Sequence, residues 1–182
     1  MKIQKNEFKL KVSTTKNLES CIMKVIYPFQ RQITRQEIKM YITKKYKDNI
    51  SIKADWLSYQ LILFNIIQNS VKYNKFKGEI FVIINCLPLV RKRKKPELES
   101  ENQYILETEI VDTGIGISKN RQKMLFIPFL ELKMKQNLKQ VKDHNIGIGL
   151  ACSDSISKAC SGDITIKKSR RGLTVFAFKI PV

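Results

Sequence analysis

Residues 55–74, DWLSYQLILFNIIQNSVKYN, read as one long helix, and the rest of the chain organises around it. The apolar residues Leu57, Leu61, Ile62, Phe64, Ile66, Ile67 and Val71 recur at spacings that suit a largely buried core helix. Asp55 is an acidic residue suited to the helix N-terminus. Asn65, Asn69 and Lys72 lie four and then three positions apart, so they project from one face as a polar stripe. Burying such groups costs about 1–3 kcal/mol for each one left unsatisfied. A polar or ionic ligand would fill those valences; the alternative is that the asparagines cap neighbouring loops while Lys72 snorkels to water.

Upstream, 8–12 (FKLKV) alternates like a short strand, and NLESCIMKVIYPFQRQI from Asn17 reads as an amphipathic helix capped by that asparagine. Residues 38–43 and 50–54 are strand-like, with KKYKDN as a hairpin turn between them. Downstream, Gly78 precedes a β-branched strand at 79–87, and 103–112 alternates and ends in Asp112. The segment 113–148 has glycines at both ends and little regular pattern, as in a lid or binding loop. Residues 150–162 read as a helix closed by Gly162 at a C-terminal cap, and 163–169 and 173–180 as two strands joined by RRG. Paired strands alternating with single helices predict an α+β fold, a two-layer α/β sandwich with one mixed β-sheet and helices on one face.

A length of 182 residues suits one domain, by the rule of about 100–200 residues per domain. The expected organisation is thus a single domain over 1–182, with its core at about 8–181 and the lid at about 113–148. The longest apolar runs fall far below the roughly 20 residues that span a bilayer. The N-terminus also lacks a secretory apolar core, so a cytoplasmic protein with no transmembrane segment is expected. Cys21, Cys86, Cys152 and Cys160 form no C-x-x-C pair, and with His144 as the single histidine they read as reduced, buried thiols rather than a zinc site. The net charge of +18 would attract polyanions. The lysines run throughout the chain without an aromatic-basic motif, however, so an evenly basic surface is the expectation and nucleic acid is not an expected partner. The cluster RKRKK at 91–95, between Pro88 and Pro96, reads as an exposed loop between strands.

The chemistry concentrates in two glycine motifs. Asp112-Thr113-Gly114-Ile115-Gly116-Ile117 comes directly off a strand, and Asn145-Ile146-Gly147-Ile148-Gly149-Leu150 leads directly into a helix. Glycines let backbone approach a ligand closely, and a helix N-terminus offers amide donors and a positive dipole to phosphate. Together with the N-x-x-x-N helix upstream, these motifs resemble the ATPase family that unites sensor histidine kinases, DNA gyrase B, Hsp90 and MutL. The likeness is greatest to the catalytic ATP-binding domain of histidine kinases. NIIQNSVKYN resembles that family's N-box, DTGIGI its first glycine box, LFIPF (125–129) its phenylalanine box, NIGIGLA its second glycine box and GLTVF (172–176) its G-x-[ST]-x-F piece. All five stand in the family's order, and the likeness runs from about Phe8 to Pro181.

The resemblance implies Mg²⁺ and ATP as ligands, with Asn69 as the Mg²⁺ oxygen donor, Lys72 on a phosphate and Asn65 supporting the same polar face. It implies that Asp112 accepts the hydrogen bond of the adenine amino group, with Thr174 backing that contact through water. Gly114 and Gly116 would start the lid beside the base, and Gly147, Ile148, Gly149 and Leu150 would present amides to the phosphates. Tyr73 is a candidate for the pocket wall, or else a packed core aromatic. Phe126 and Phe129 should anchor the lid.

Hydrolytic relatives carry a glutamate as general base where this chain has Asn65, and a carboxamide does not take a proton at neutral pH. The resemblance therefore points to a protein-histidine kinase of two-component phosphorelay signalling. Asn65 and Lys72 would be its catalytic residues, and its partners would be a histidine-containing dimerisation domain and a response regulator. No acceptor-histidine segment is recognised before Phe8, and His144 reads as a lid residue. Asn145 stands where the family usually has glycine; asparagine tolerates positive φ. The alternatives are a detached or degenerate module that binds nucleotide or a partner without phosphotransfer, and nucleic-acid binding through the basic surface.

Overall fold

The computed structural model describes residues 10–15, 17–46, 52–88, 104–129 and 147–182. The elements in chain order are β1 (Ser13–Thr15), α1 (Leu18–Ile26), a 3₁₀ turn (Tyr27–Phe29), α2 (Gln30–Arg35), β2 (Lys39–Lys44) and β3 (Ile52–Ala54). They continue with α3 (Trp56–Lys72), β4 (Glu79–Pro88), β5 (Tyr104–Asp112), α4 (Lys119–Gln122), α5 (Gly149–Ala159), β6 (Asp163–Arg170) and β7 (Leu173–Pro181). Five strands form a mixed sheet in the order β2-β4-β5-β7-β6, with β2 parallel to β4 and the other pairs antiparallel. The fold is mixed α/β, as the alternation of paired strands and helices predicts.

Asp55 caps α3, its carboxylate accepting from the Ser58 amide at 3.0 Å and the Lys11 amide at 2.8 Å. The buried face of α3 is Tyr59, Ile62, Leu63, Ile66, Ile67 and Val71, all fully excluded from solvent. These residues form one core with Ile80, Val82 and Ile84 of β4, Ile110 of β5, and Phe176 and Phe178 of β7. Leu57 and Leu61, expected in that face, are 64% and 42% exposed. The stripe is rotated so that aromatic Tyr59, whose hydroxyl meets Thr108 Oγ1 at 3.0 Å, takes the inward position. Ile66→Ala should therefore cost about 2–5 kcal/mol in denaturant unfolding, through lost transfer energy and a cavity. Leu57→Ala should change stability by no more than about 0.5 kcal/mol.

Four local expectations are corrected. The strands 38–43 and 50–54 do not form a hairpin: β2 lies parallel beside β4, with Tyr41 stacked on Phe81 at 4.8 Å, while β3 pairs antiparallel with β1 in a separate two-stranded sheet. Burial decides this, because Ile52 and Ala54 turn into the core and the Trp56 indole donates to Ser13 O at 2.8 Å. Of the strand expected at 8–12, residues 8 and 9 lie outside the described residues and 10–12 are not strand, the strand being Ser13–Thr15; the helix from Asn17, though capped by Asn17 Oδ1 on the Ser20 amide, is broken at Pro28 by the 3₁₀ turn. At the end of α5 the left-handed residue is Ser161 (φ 56°), not Gly162. Gly162 is required for a different reason, since a Cβ there would lie 2.1 Å from Lys179 O of β7.

The four cysteines form no disulfide; Cys152 is exposed rather than buried, and the other three are half-buried. Among the described residues no helix is long and apolar enough to cross a membrane. The RKRKK cluster, the second half of the KKYKDN turn, His144 and Asn145 lie outside the described residues.

Candidate functional site: a cavity between α3, β5 and the start of α5

The alternation that turns Leu106, Thr108 and Ile110 inwards continues to Asp112, so the last residue of β5 delivers a carboxylate to the core side of the sheet. Asp112 is 5% exposed. Its Oδ1 accepts from the Gly114 amide at 2.9 Å and its Oδ2 from the Ser70 hydroxyl at 3.2 Å. Burial pushes its acid constant up to about 6, against the pull of those two donors. Thr174 of β7 stands opposite Asp112 in the strand register, buried, and exchanges a hydrogen bond with Ser169 Oγ at 3.1 Å. Ser169 Oγ also accepts from the Ile117 amide at 2.9 Å, which ties the start of the expected lid to the β6–β7 hairpin.

The end of α3 is brought to the same place by Asn74, which donates to Glu79 O at 3.2 Å and accepts from the Thr113 hydroxyl at 3.1 Å. Ile115 N then donates to Tyr73 O at 3.1 Å, and Gly172 N to Gly114 O at 2.9 Å. Residues 113–117 are thus held on both sides, and only glycine fits at 114, where a Cβ would lie 2.4 Å from Tyr73 O. Gly116 has φ 75° and approaches Arg170 O just as closely.

These elements enclose a cavity of about 930 Å³. Of the residues singled out in the sequence, Asn65, Asn69, Tyr73, Asp112, Gly116, Gly147, Ile148, Gly149, Leu150 and Thr174 border it. Gly114 stands just behind the wall, at Asp112. Lys72 does not border the cavity: it is half-buried, with its ammonium 5.0 Å from the centre of the Tyr73 ring, and Tyr73 takes the wall position instead. The polar stripe therefore runs through Asn65, Asn69 and Tyr73, which is a wall residue at 37% exposure and not a packed core aromatic. In the phenylalanine box Phe126 packs against the core, whereas Phe129 is 48% exposed at φ 59°. Only the first of the two is an anchor. The expected lid also holds the short helix α4 within it.

Asn65 has a determined orientation. Ser153, fully buried on α5, spends its hydroxyl proton on Gly149 O at 3.0 Å. Ser153 Oγ must then accept, so the group facing it at 2.9 Å is the Asn65 amide nitrogen. The Asn65 carbonyl oxygen is left on the side of Gly149, where a Cβ would sit 3.2 Å away. The cavity thus receives an acceptor that cannot be protonated. Sequence reasoning missed Ser70, Ser153 and Ser169, because a lone hydroxyl in a helix or strand carries no periodic signal. It also missed the cations Lys119, Arg121, Arg170 and Arg171 on the wall; Asp112 is the sole acid among the described lining residues.

Residues 54–182 match the family model described as the histidine kinase-, DNA gyrase B-, and HSP90-like ATPase. The chain belongs to this ATPase family. Among curated relatives it is 27% identical over 153 residues to the autoinducer 2 sensor kinase/phosphatase LuxQ of Vibrio harveyi, covering 82% of this chain and 16% of that protein. It is 26% identical over 132 residues to the sensor protein CiaH of Streptococcus pneumoniae, covering 72% of this chain and 26% of that protein. The chain therefore spans about a quarter or less of the length of these relatives. Among solved structures, the catalytic domain of the histidine kinase ThkA aligns with a TM-score of 0.67 at 19% identity, covering 94% of this chain and 95% of that one. Full-length ShkA in complex with AMPPNP aligns at 0.71 and 17% identity, covering 96% of this chain and 32% of that one. At these identities the structural likeness establishes the fold.

Proposed function

We propose that this chain is the ATP-binding catalytic module of a histidine kinase in a two-component system, acting from the cytoplasm as one domain over 1–182 with a lid over 113–148. The module would transfer the γ-phosphoryl group of ATP to a histidine on a dimerisation domain, from which a response regulator would take it. The observation that carries this reading is Asp112, a buried carboxylate at one end of a cavity that also meets Gly147–Leu150 at the start of α5. A carboxylate is an acceptor matched to an exocyclic amino group, and the free amides of a helix start are matched to phosphates. Thr174 and Ser169 offer hydroxyls for a water at the base.

The donor set also fits the metal. Among the described residues no cluster of three or more His, Cys, Asp or Glu side chains could hold an ion. That is compatible with Mg²⁺, which keeps several waters and takes one or two protein oxygens together with substrate phosphates. Asn69, on the cavity wall, would be the protein ligand. When bound, the ion neutralises charge on the transferring phosphoryl group. Asn65 orients the reacting groups through its fixed carbonyl oxygen without removing a proton from water, which disfavours hydrolysis. Lys72 would exchange the ring of Tyr73 for a phosphate by rotation of its flexible stem.

Its position off the wall favours a second reading, a module that binds nucleotide without phosphotransfer. The two readings separate in one experiment. Incubation of the chain with γ-labelled ATP, Mg²⁺ and a cognate histidine-bearing dimerisation domain should give acid-labile, base-stable phosphate on that domain. ATP binding with no label transferred would select the second reading.

A further inference from the structure

We propose that Ser70 is a second determinant of base selection: its hydroxyl holds Asp112 as a hydrogen-bond acceptor facing the cavity, so that the site takes a 6-aminopurine and refuses a 6-oxopurine. This inference rests on the reading that Asp112 meets the base. Ser70 lies on α3 immediately after Asn69, is 1% exposed, and borders the same cavity as Asp112. The two donors to Asp112 engage different oxygens, Gly114 N on Oδ1 and Ser70 Oγ on Oδ2, so the carboxylate cannot turn without losing one of them.

The groups around Asp112 leave Ser70 this role. From α3 comes Ser70 and from its C-cap Tyr73; from β4, Ile80 in register; from β7, Thr174 in register; from the following loop, the Gly114 amide. None of these is a cation, and Tyr73 is the one titratable side chain among them. The ionised carboxylate is therefore stabilised by two hydrogen-bond donors, of which only Ser70 belongs to a side chain. An ionised carboxylate only accepts, which matches the amino group at position 6 of adenine. A protonated one also donates, which matches the carbonyl at position 6 of hypoxanthine or guanine. With burial already favouring the protonated form, removal of the Ser70 donor moves the site toward the state that tolerates the wrong base.

Calorimetric titration of the chain with Mg·ATP and Mg·ITP between pH 5 and 8 tests this, on the native chain and on Ser70→Ala, Ser70→Cys, Ser70→Thr and Asp112→Asn. The native chain should prefer ATP, with the preference declining as the pH falls through about 6. Ser70→Ala should lower the ATP-to-ITP affinity ratio at pH 7 by about tenfold, the value of one hydrogen bond to a charged group, and shift the decline to higher pH. Ser70→Cys, which keeps a side chain of similar shape but weakens the donor, should move the same way, and Ser70→Thr should restore the native ratio. A native ratio and a native pH midpoint in both Ser70→Ala and Ser70→Cys, with ATP binding lost in Asp112→Asn, would overturn the role of Ser70 alone. Native ATP affinity in Asp112→Asn would instead overturn the base-site reading and the inference with it.

Discussion

Asp112→Asn should abolish the rise in melting temperature expected of the native chain with Mg·ATP. At ATP concentrations near 100 times the dissociation constant the native chain should gain about 2.7 kcal/mol. For a chain of this size that corresponds to roughly 5–10 °C. The substitution is nearly isosteric, and its carbonyl oxygen can still accept from the Gly114 amide. Its amide nitrogen then faces Ser70 and the cavity, so a donor stands where the base also presents a donor. The loss is therefore of recognition and not of shape. The ligand-free variant should melt no lower than the native chain at pH 7.5. The acid constant of Asp112 in the folded chain, about 6, lies above its ordinary value of 3.8, so the ionised carboxylate costs stability above pH 6 and this cost disappears as the pH falls toward 3.8. The same sign governs the ligand. If Asp112 accepts from the base, ATP takes the ionised form, and native affinity should fall by about tenfold per pH unit below about 6. An undiminished ATP-dependent shift in Asp112→Asn, measured by differential scanning fluorimetry, would remove Asp112 from the base site.

Gly114→Ala should be strongly damaging for a single methyl addition. The new Cβ would lie 2.4 Å from Tyr73 O and 2.9 Å from Asp112 Oδ1. One of these is backbone at the end of α3, and the other is a carboxylate held by two donors, so neither yields by rotating a flexible side chain. Relief requires residues 113–117 to move away from α3, which breaks the bonds of Ile115 N to Tyr73 O and Gly172 N to Gly114 O. Overpacking of about 1–3 kcal/mol and about 1 kcal/mol for each lost hydrogen bond add to a stability loss of roughly 3–5 kcal/mol. ATP binding should be lost with it. Gly172→Ala is the informative comparison. Nothing lies within 4 Å of a Cβ there, but φ is 80°, so the cost is backbone strain of about 1–2 kcal/mol with ATP binding retained. Equal stability of Gly114→Ala and native protein in urea denaturation would show that the loop is not clamped as described.

Much of this site was legible in the sequence. The period-two pattern of 103–112 was enough to carry Asp112 inwards with Ile110, and the two glycine motifs marked where backbone approaches closely. What escaped notice has a common cause. Ser70, Ser153 and Ser169 act through single hydroxyls whose partners Asp112, Asn65 and Ile117 lie 42, 88 and 52 residues away in the chain. No local window contains such pairs. Helical spacing put Lys72 on the polar stripe with Asn65 and Asn69, and a small rotation at the end of α3 gives the wall position to Tyr73 instead. The same small rotation exposes Leu57 and Leu61 and buries Tyr59 and Leu63. Phe126 and Phe129 look equivalent in LFIPF, yet the positive φ of Phe129 turns it outwards.

The strands show the division most plainly. Alternation and β-branching marked 39–43 and 52–54 as extended, helical apolar spacing marked 56–72 as a helix, and the same local patterns placed Asp112 and Gly149 at element ends, because those properties depend on residues within a turn or a pleat of one another. Which strand pairs with which was decided only in the tertiary structure. The short separation of β2 and β3 favoured a hairpin by loop entropy. The core instead gained more by placing β2 against β4 and turning Ile52 and Ala54 under Trp56, because burial free energy sums over the whole packed surface and a short stretch of sequence samples only part of it.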